Sequence, residues 1–148
     1  MWTCRCRDNY YCGVMMILVI DDDEVMRECV ARSVRRAGRE VVAYGDAFAA
    51  TSWVAENGAP EMILMDVMLN GPDGFTFLNE MASYADTGVV PVILVVENRK
   101  YEHVDLAEYG VVKILYKDTM RPSDVSELVR DLTGENWERS ADYDSGKN

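Results

Sequence analysis

The sequence predicts an α/β fold, a doubly wound five-stranded parallel sheet held between two layers of helices. Three observations carry that expectation. Five apolar runs recur along the chain, and segments of helical period separate them. The runs are continuous Ile/Val/Leu/Met stretches without polar alternation, the pattern of strands buried on both faces. The first and third runs end in carboxylates, at the strand ends where open α/β sheets place their sites.

The elements follow in order. Met16–Ile20 reads as the first buried strand. A helix is expected from Asp22 to about Gly38, with Val25, Met26, Cys29, Val30 and Val34 at helical spacing. Arg32, Arg35, Arg36 and Arg39 fall on or near its outer face and last turn, where cations suit the helix dipole, and read as a solvated face, with a partner-docking surface as the lesser alternative. Glu40–Tyr44 is a short second strand. Gly45-Asp46 caps a helix running to about Glu56, and Asn57-Gly58 stops it. Glu61–Met65 is the third strand, and Gly74 to about Ala85 is helical. Pro91–Val96 is the fourth strand, followed by a helix from about Tyr101 to Tyr109. Val111–Tyr116 is the fifth strand, and Pro122, favoured in a first turn, opens a last helix to about Leu132. The strand order is taken as 2-1-3-4-5.

With 148 residues the chain suits one domain, assigned to residues 16–133. Residues 1–15 are expected to be a disordered extension, or sequence upstream of a natural start at Met15 or Met16. Residues 134–148 read as a polar, frayed tail. A formal charge of −11 and a pI near 4.5 disfavour direct binding to DNA or to anionic membrane. No apolar run approaches the roughly 20 residues that span a bilayer, so neither membrane insertion nor secretion is expected, and the location reads as cytoplasmic. Cys4, Cys6 and Cys12 match no common zinc spacing, and Cys29 reads as a small core residue. His103, the one histidine, reads as a surface residue with no chemical role.

The candidate site is acidic. Asp66 ends the run Met62–Met65, and Asp21-Asp22-Asp23 end Met16–Ile20. Two such strand ends side by side gather three or four carboxylates, which repel unless they share a proton or hold a cation. A cluster of this kind suits Mg²⁺ and can offer one oxygen to a phosphoryl group. Lys117, at the end of the fifth strand, would supply the counter-charge that a buried acidic cluster needs. Taken singly these residues have plainer readings. Asp22 or Asp23 could cap the first helix, Asp73-Gly74 could be a turn, and Lys117 could be a solvated charge.

From Met16 to about Leu132 the chain resembles the receiver domain of bacterial two-component response regulators. The resemblance rests on Ile17-Leu18-Val19-Ile20-Asp21-Asp22-Asp23, Ile63-Leu64-Met65-Asp66, Asp73-Gly74, Pro91-Val92-Ile93 and Lys117, in order at consecutive strand ends. It implies a flavodoxin-like three-layer sandwich. It also implies that Asp66 is the phosphoacceptor, taking a phosphoryl group from a sensor histidine kinase or phosphotransfer protein. Asp21, Asp22, Asp66 and the backbone carbonyl of Met68 would then hold Mg²⁺, with Mn²⁺ an acceptable substitute. Lys117 would contact the phosphoryl group. The chain would promote its own phosphorylation and dephosphorylation without being an enzyme in its own right. No segment suggests an output domain, so a stand-alone receiver would signal by contact with an unidentified protein target; a homodimer stays open.

The chain departs from the family pattern where the family reads out phosphorylation. Val96 stands where Ser or Thr is expected, and Ile114 stands where an aromatic is expected. Asp118 and Asn70 each replace a common proline, and the stretch from Val96 to Gly110 is about one residue short. Two functions follow: a phosphorylated receiver with an altered switch, or a phosphorylation-independent interaction module of the same fold. An aspartyl-phosphate hydrolase is disfavoured by Met68, where such enzymes carry a second acid. A flavin-binding protein is disfavoured because no phosphate loop follows the first strand.

Overall fold

The computed structural model describes residues 16–68, 74–83 and 90–133. Its five strands are β1 (Met16–Ile20), β2 (Glu40–Tyr44), β3 (Met62–Met65), β4 (Val92–Val96) and β5 (Val111–Tyr116). All pairings are parallel, in the order β2-β1-β3-β4-β5. The helices are α1 (Glu24–Arg36), α2 (Ala47–Asn57), α3 (Gly74–Ser83) and α4 (Pro122–Thr133). The fold class and strand order match expectation, with boundaries moved by a residue or two. The expectations for residues 1–15 and 134–148, Cys4, Cys6 and Cys12 among them, lie outside the described residues.

Alternate residues of each strand enter opposite cores, because side chains on a strand point to alternate faces. Leu18, Ile20, Ile63, Met65, Leu94 and Val96 pack under α2 and α3. Ile17, Val19, Met62, Leu64, Ile93 and Val95 pack under α1 and α4, against Val30, Val34, Val125 and Val129. This double burial is why the strand sequences show no alternation. Asp23 caps α1 by accepting from the amides of Val25 and Met26, and Asp46 caps α2 through the Ala49 amide. Val25 is 80% exposed instead of facing the core, and Cys29 is a half-buried free thiol.

The predicted helix from Tyr101 to Tyr109 is absent. Two short 3₁₀ turns replace it, Arg99–Tyr101 and Ala107–Tyr109. The inward anchors explain the difference. Tyr101 and Leu106 are both buried, yet five residues apart they would lie on divergent faces of one α-helix. Asn98 caps the first turn through the Lys100 amide, and Asp105, just ahead of the second, accepts from the Ala107 amide, so each turn starts on its own side-chain hydrogen bond. Gly110, with φ +80°, closes the second turn and leads into β5. His103 is exposed between the two turns, as expected of a surface residue.

Gly74 opens α3 directly against the end of β3. A Cβ there would stand 2.6 Å from the Val67 Cα and 3.1 Å from the Asp66 carbonyl oxygen. We expect Gly74→Ala to cost about 1–3 kcal/mol in urea unfolding, because backbone must shift to admit the methyl group. A loss below about 0.5 kcal/mol would show that the start of α3 moves freely.

At the opposite end of the sheet, Glu61 is mostly buried and 3.7 Å from Arg39, whose Nε donates to Thr133 Oγ1. One Glu61 carboxylate oxygen, Oε1, is buried without a hydrogen-bond partner among the described residues. Burial raises the Glu61 pKa above 4.5, and the Arg39 charge only partly offsets this. The native state therefore holds this proton at pH values where the unfolded chain has lost it. Stability falls as pH rises from about 4.5 through the raised folded value. Chemical denaturation of Glu61→Gln across that window should show a flatter slope than the wild type; an unchanged slope would remove Glu61 as its source.

Candidate functional site

The site lies beyond the carboxyl ends of β1, β3 and β5. Asp21 and Asp66 follow the last residues of β1 and β3, which pair as Ile20 with Met65. The Asp66 amide donates to the Ile20 carbonyl at 3.0 Å, and the Asp21 amide to the Tyr44 carbonyl at 3.1 Å. Parallel pairing thus carries both acids to one edge of the sheet. Asp21 is 2% exposed and Asp66 5%, while Asp22 is more open.

Oxygens from Asp21, Asp22 and Asp66 lie within 4.8 Å of one another. Lys117, one residue past β5, places Nζ 2.7 Å from Asp66 Oδ2 and 2.9 Å from Asp21 Oδ2. Its backbone amide donates to the Val96 carbonyl at 2.8 Å, which fixes the lysine at the β4–β5 end. The other oxygens are tethered by backbone. Asp66 Oδ1 accepts from the Met68 amide and Asp21 Oδ1 from the Asp23 amide, both at 2.9 Å.

Burial dominates the electrostatics. It raises the Asp21 pKa, against the Asp23 amide and the Lys117 ammonium, which both lower it. Burial alone would also depress Lys117, but its hydrogen bonds to Asp66 and Asp21 reverse the direction and keep it charged. Three acids against one lysine leave a negative, oxygen-only donor set. That set suits a hard divalent cation, whose ligands are carboxylates, carbonyls and waters.

Asp21, Asp22, Asp66 and Lys117 are therefore brought together as the sequence suggested, and Met68 adjoins them through its amide. Asp23 is drawn off as the helix cap. Val96 is 1% exposed, its side chain in the core under α2 and α3. Ile114 is half-buried against the same core and pairs with Leu94, two residues short of the strand ends. Neither position carries a hydroxyl or an aromatic ring.

Three further residues surround the site without a signal in the sequence. Arg99 lies over the Tyr116 ring, 4.2 Å from its centroid, and bonds Asp118 at 3.0 Å. Asp118, noted only as a missing proline, is thus the acceptor that ties the β4 and β5 ends together. The buried Tyr101 places its hydroxyl 4.0 Å from Met68 Sδ and its ring against Phe75. Arg27 reaches back from α1 to the Asp21 carbonyl.

Comparison with known proteins agrees with this geometry. Residues 17–130 match the family described as response regulator receiver domain. The transcriptional regulatory protein AruR of Pseudomonas aeruginosa is 35% identical over 81 residues, covering 52% of this chain and 33% of that protein. A protein-glutamate methylesterase/protein-glutamine glutaminase of Geobacter metallireducens is 32% identical over 103 residues, 68% of this chain and 29% of that protein. The chain thus spans about a third of the length of these relatives. The receiver domain of the P. aeruginosa sensor histidine kinase PA1611 is similar in fold, with a TM-score of 0.70 at 22% identity over 82% of this chain and 99% of that one. No helix among the described residues is long and apolar enough to cross a membrane. With the parallel sheet, the acidic edge and the family match spanning 17–130, the chain belongs to the response regulator receiver domain family of two-component systems.

Proposed function

We propose that the chain is a phosphorelay receiver in which Asp66 accepts a phosphoryl group from a phosphohistidine on a sensor kinase or phosphotransfer protein. The observation that carries this reading is the Lys117 ammonium held between Asp66 and Asp21 at the carboxyl edge of the sheet. An Asp66 carboxylate oxygen attacks phosphorus, the P–N bond to the donor imidazole breaks, and its electron pair stays on the ring nitrogen. Both reactants are anionic, so approach needs positive charge. Lys117 supplies one cation, and its ammonium can pass from the Asp66 carboxylate to the new phosphoryl oxygens. Asp21, Asp22, Asp66 and the Met68 carbonyl would hold Mg²⁺ or Mn²⁺, which when bound would supply further positive charge against the two anionic reactants. The PA1611 structure, described with magnesium coordinated in its active-site cleft, supports that choice of metal. The Asp23, Met68 and Ile20 contacts keep the acids in place. The product signals by contact with another protein in the cytoplasm.

The test is intact-mass measurement after incubation with phosphoramidate and Mg²⁺. A phosphoryl adduct is expected on the wild type and its loss in Asp66→Asn; an adduct that persists there would refute the acceptor assignment. A second reading, a receiver fold used only for binding, is favoured by one observation. Val96 sits in the core with no hydroxyl to offer a phosphoryl oxygen. Absence of any adduct on the wild type would select that reading.

A further inference from the structure

We propose that Arg27 is a positioning residue for cation binding, holding the Asp21–Asp22 peptide so that both carboxylates face Asp66, with Gly45 providing its clearance. This rests on the metal-site reading above and concerns a side chain that touches no ligand itself. Arg27 Nη1 donates to the Asp21 carbonyl oxygen at 2.8 Å. That carbonyl belongs to the peptide joining the two acids, just past the last paired residue of β1. Asp21 is thereby held at three points: its amide on Tyr44, its carbonyl on Arg27 and its Oδ1 on the Asp23 amide. The peptide plane, and with it the direction in which Asp22 leaves the strand, is set by the guanidinium. Arg27 is itself fixed in the first turn of α1, where its amide donates to the Asp23 carbonyl at 2.8 Å.

Gly45 is the independent observation. A Cβ at Gly45 would stand 3.0 Å from Arg27 Nη1, 3.7 Å from its Cζ and 4.0 Å from the Asp21 carbonyl oxygen. Gly45 is not among the positive-φ glycines, Gly38, Gly58 and Gly110, so its backbone does not require glycine. The space beside it is tight, so a side chain there would make the guanidinium give way by a few tenths of an ångström. The turn between β2 and α2 passes over the guanidinium, and a side chain there would press on it.

The sign of the effect makes the proposal testable. A guanidinium beside a cation site repels the cation, so if charge were its only influence, removing it would tighten Mg²⁺ binding. If it positions the acids, removing it weakens binding. Partners that orient metal ligands are worth about 10–100-fold in affinity. Isothermal titration of the full chain with MgCl₂ should therefore show about 10-fold or greater weakening in Arg27→Met. Arg27→Lys should recover part of that loss, because an ammonium still donates to one carbonyl. Gly45→Val keeps the positive charge but displaces the guanidinium, and should also weaken binding. That variant keeps the idea falsifiable if Arg27→Met does not fold. Tighter or unchanged binding in a folded Arg27→Met, or unchanged binding in Gly45→Val, overturns the proposal while leaving the metal site standing. A wild type that binds no Mg²⁺ overturns the metal-site reading and this inference with it.

Discussion

Lys117→Met is expected to destabilise the metal-free protein by about 3–5 kcal/mol while tightening its hold on Mg²⁺. The lysine side chain is 8% exposed, and those of Asp21 and Asp66 are 3% and 7% exposed. Removing the ammonium leaves the buried Asp21 and Asp66 carboxylates without the cation bonded to both, which costs far more than losing a surface ion pair. The methionine keeps the bulk of the stem, so the loss is electrostatic more than a matter of packing. Lys117 Nζ also bonds Oδ2 of both acids, so it would compete with a divalent cation for the same carboxylates. A competitor is therefore removed together with a stabiliser. Urea unfolding with and without Mg²⁺ separates the two effects, since a ligand bound only to the native state stabilises it according to its affinity. Mg²⁺ should recover more stability in Lys117→Met than in the wild type. Equal metal-free stabilities would show that the ammonium is not the counter-charge. Weaker Mg²⁺ binding would show that it arranges the acids instead of competing for them.

Most of the architecture was legible because each strand and four of the helices repeat a simple period. Met62-Ile63-Leu64-Met65 can be read as a doubly buried strand without knowing its neighbours, and parallel order then forces its terminal acid to the edge shared with Asp21. The failed helix had no such redundancy. Between Arg99 and Tyr109 the deciding facts are two inward anchors, Tyr101 and Leu106, and two side-chain acceptors, Asn98 and Asp105. Which of these face inward depends on the core beside them, where Phe75 of α3 packs against Tyr101 and Tyr109, a tertiary quantity. The acids and Lys117 were legible as chemistry at strand ends. The choice between Asp22 and Asp23 was not, because either suits a helix cap; the α1 amides of Val25 and Met26 select Asp23. Arg27, Arg99 and Tyr101 were illegible because their partners are a backbone carbonyl, an aromatic face and a thioether, none of which leaves a motif.

Phosphorylation of Asp66 is expected to move the β5 surface little, and Val96→Thr to restore the movement. A phosphoryl group brings about two negative charges and three acceptor oxygens. Lys117, the metal and backbone amides meet part of that demand, but the β4 end offers a methyl group where a hydroxyl would complete it. The missing hydrogen bond is worth roughly 1–3 kcal/mol at a charged acceptor. Without it nothing draws the β4 end inward, and Ile114, paired with Leu94 on β4, has no displaced neighbour to follow. The tie from Arg99 to Asp118 and Tyr116 further discourages motion, though an exposed pair and a cation–π contact add only about 0.5–1 kcal/mol each. In Val96→Thr the resting protein should lose about 1–3 kcal/mol, because a hydroxyl enters the core unpaired. The phosphorylated state should then recover that loss by pairing it. Amide NMR with beryllofluoride and Mg²⁺, which mimic the phosphoryl group, reads the difference. In the wild type, shifts should collect at Met68, Tyr101 and Phe75, the contacts that lead from the Asp66 loop into the two 3₁₀ turns. In Val96→Thr they should spread to Val111–Tyr116. Large wild-type shifts along β5 that Val96→Thr leaves unchanged would mean the hydroxyl is dispensable, and that the strand responds to charge at Asp66 through Lys117 alone.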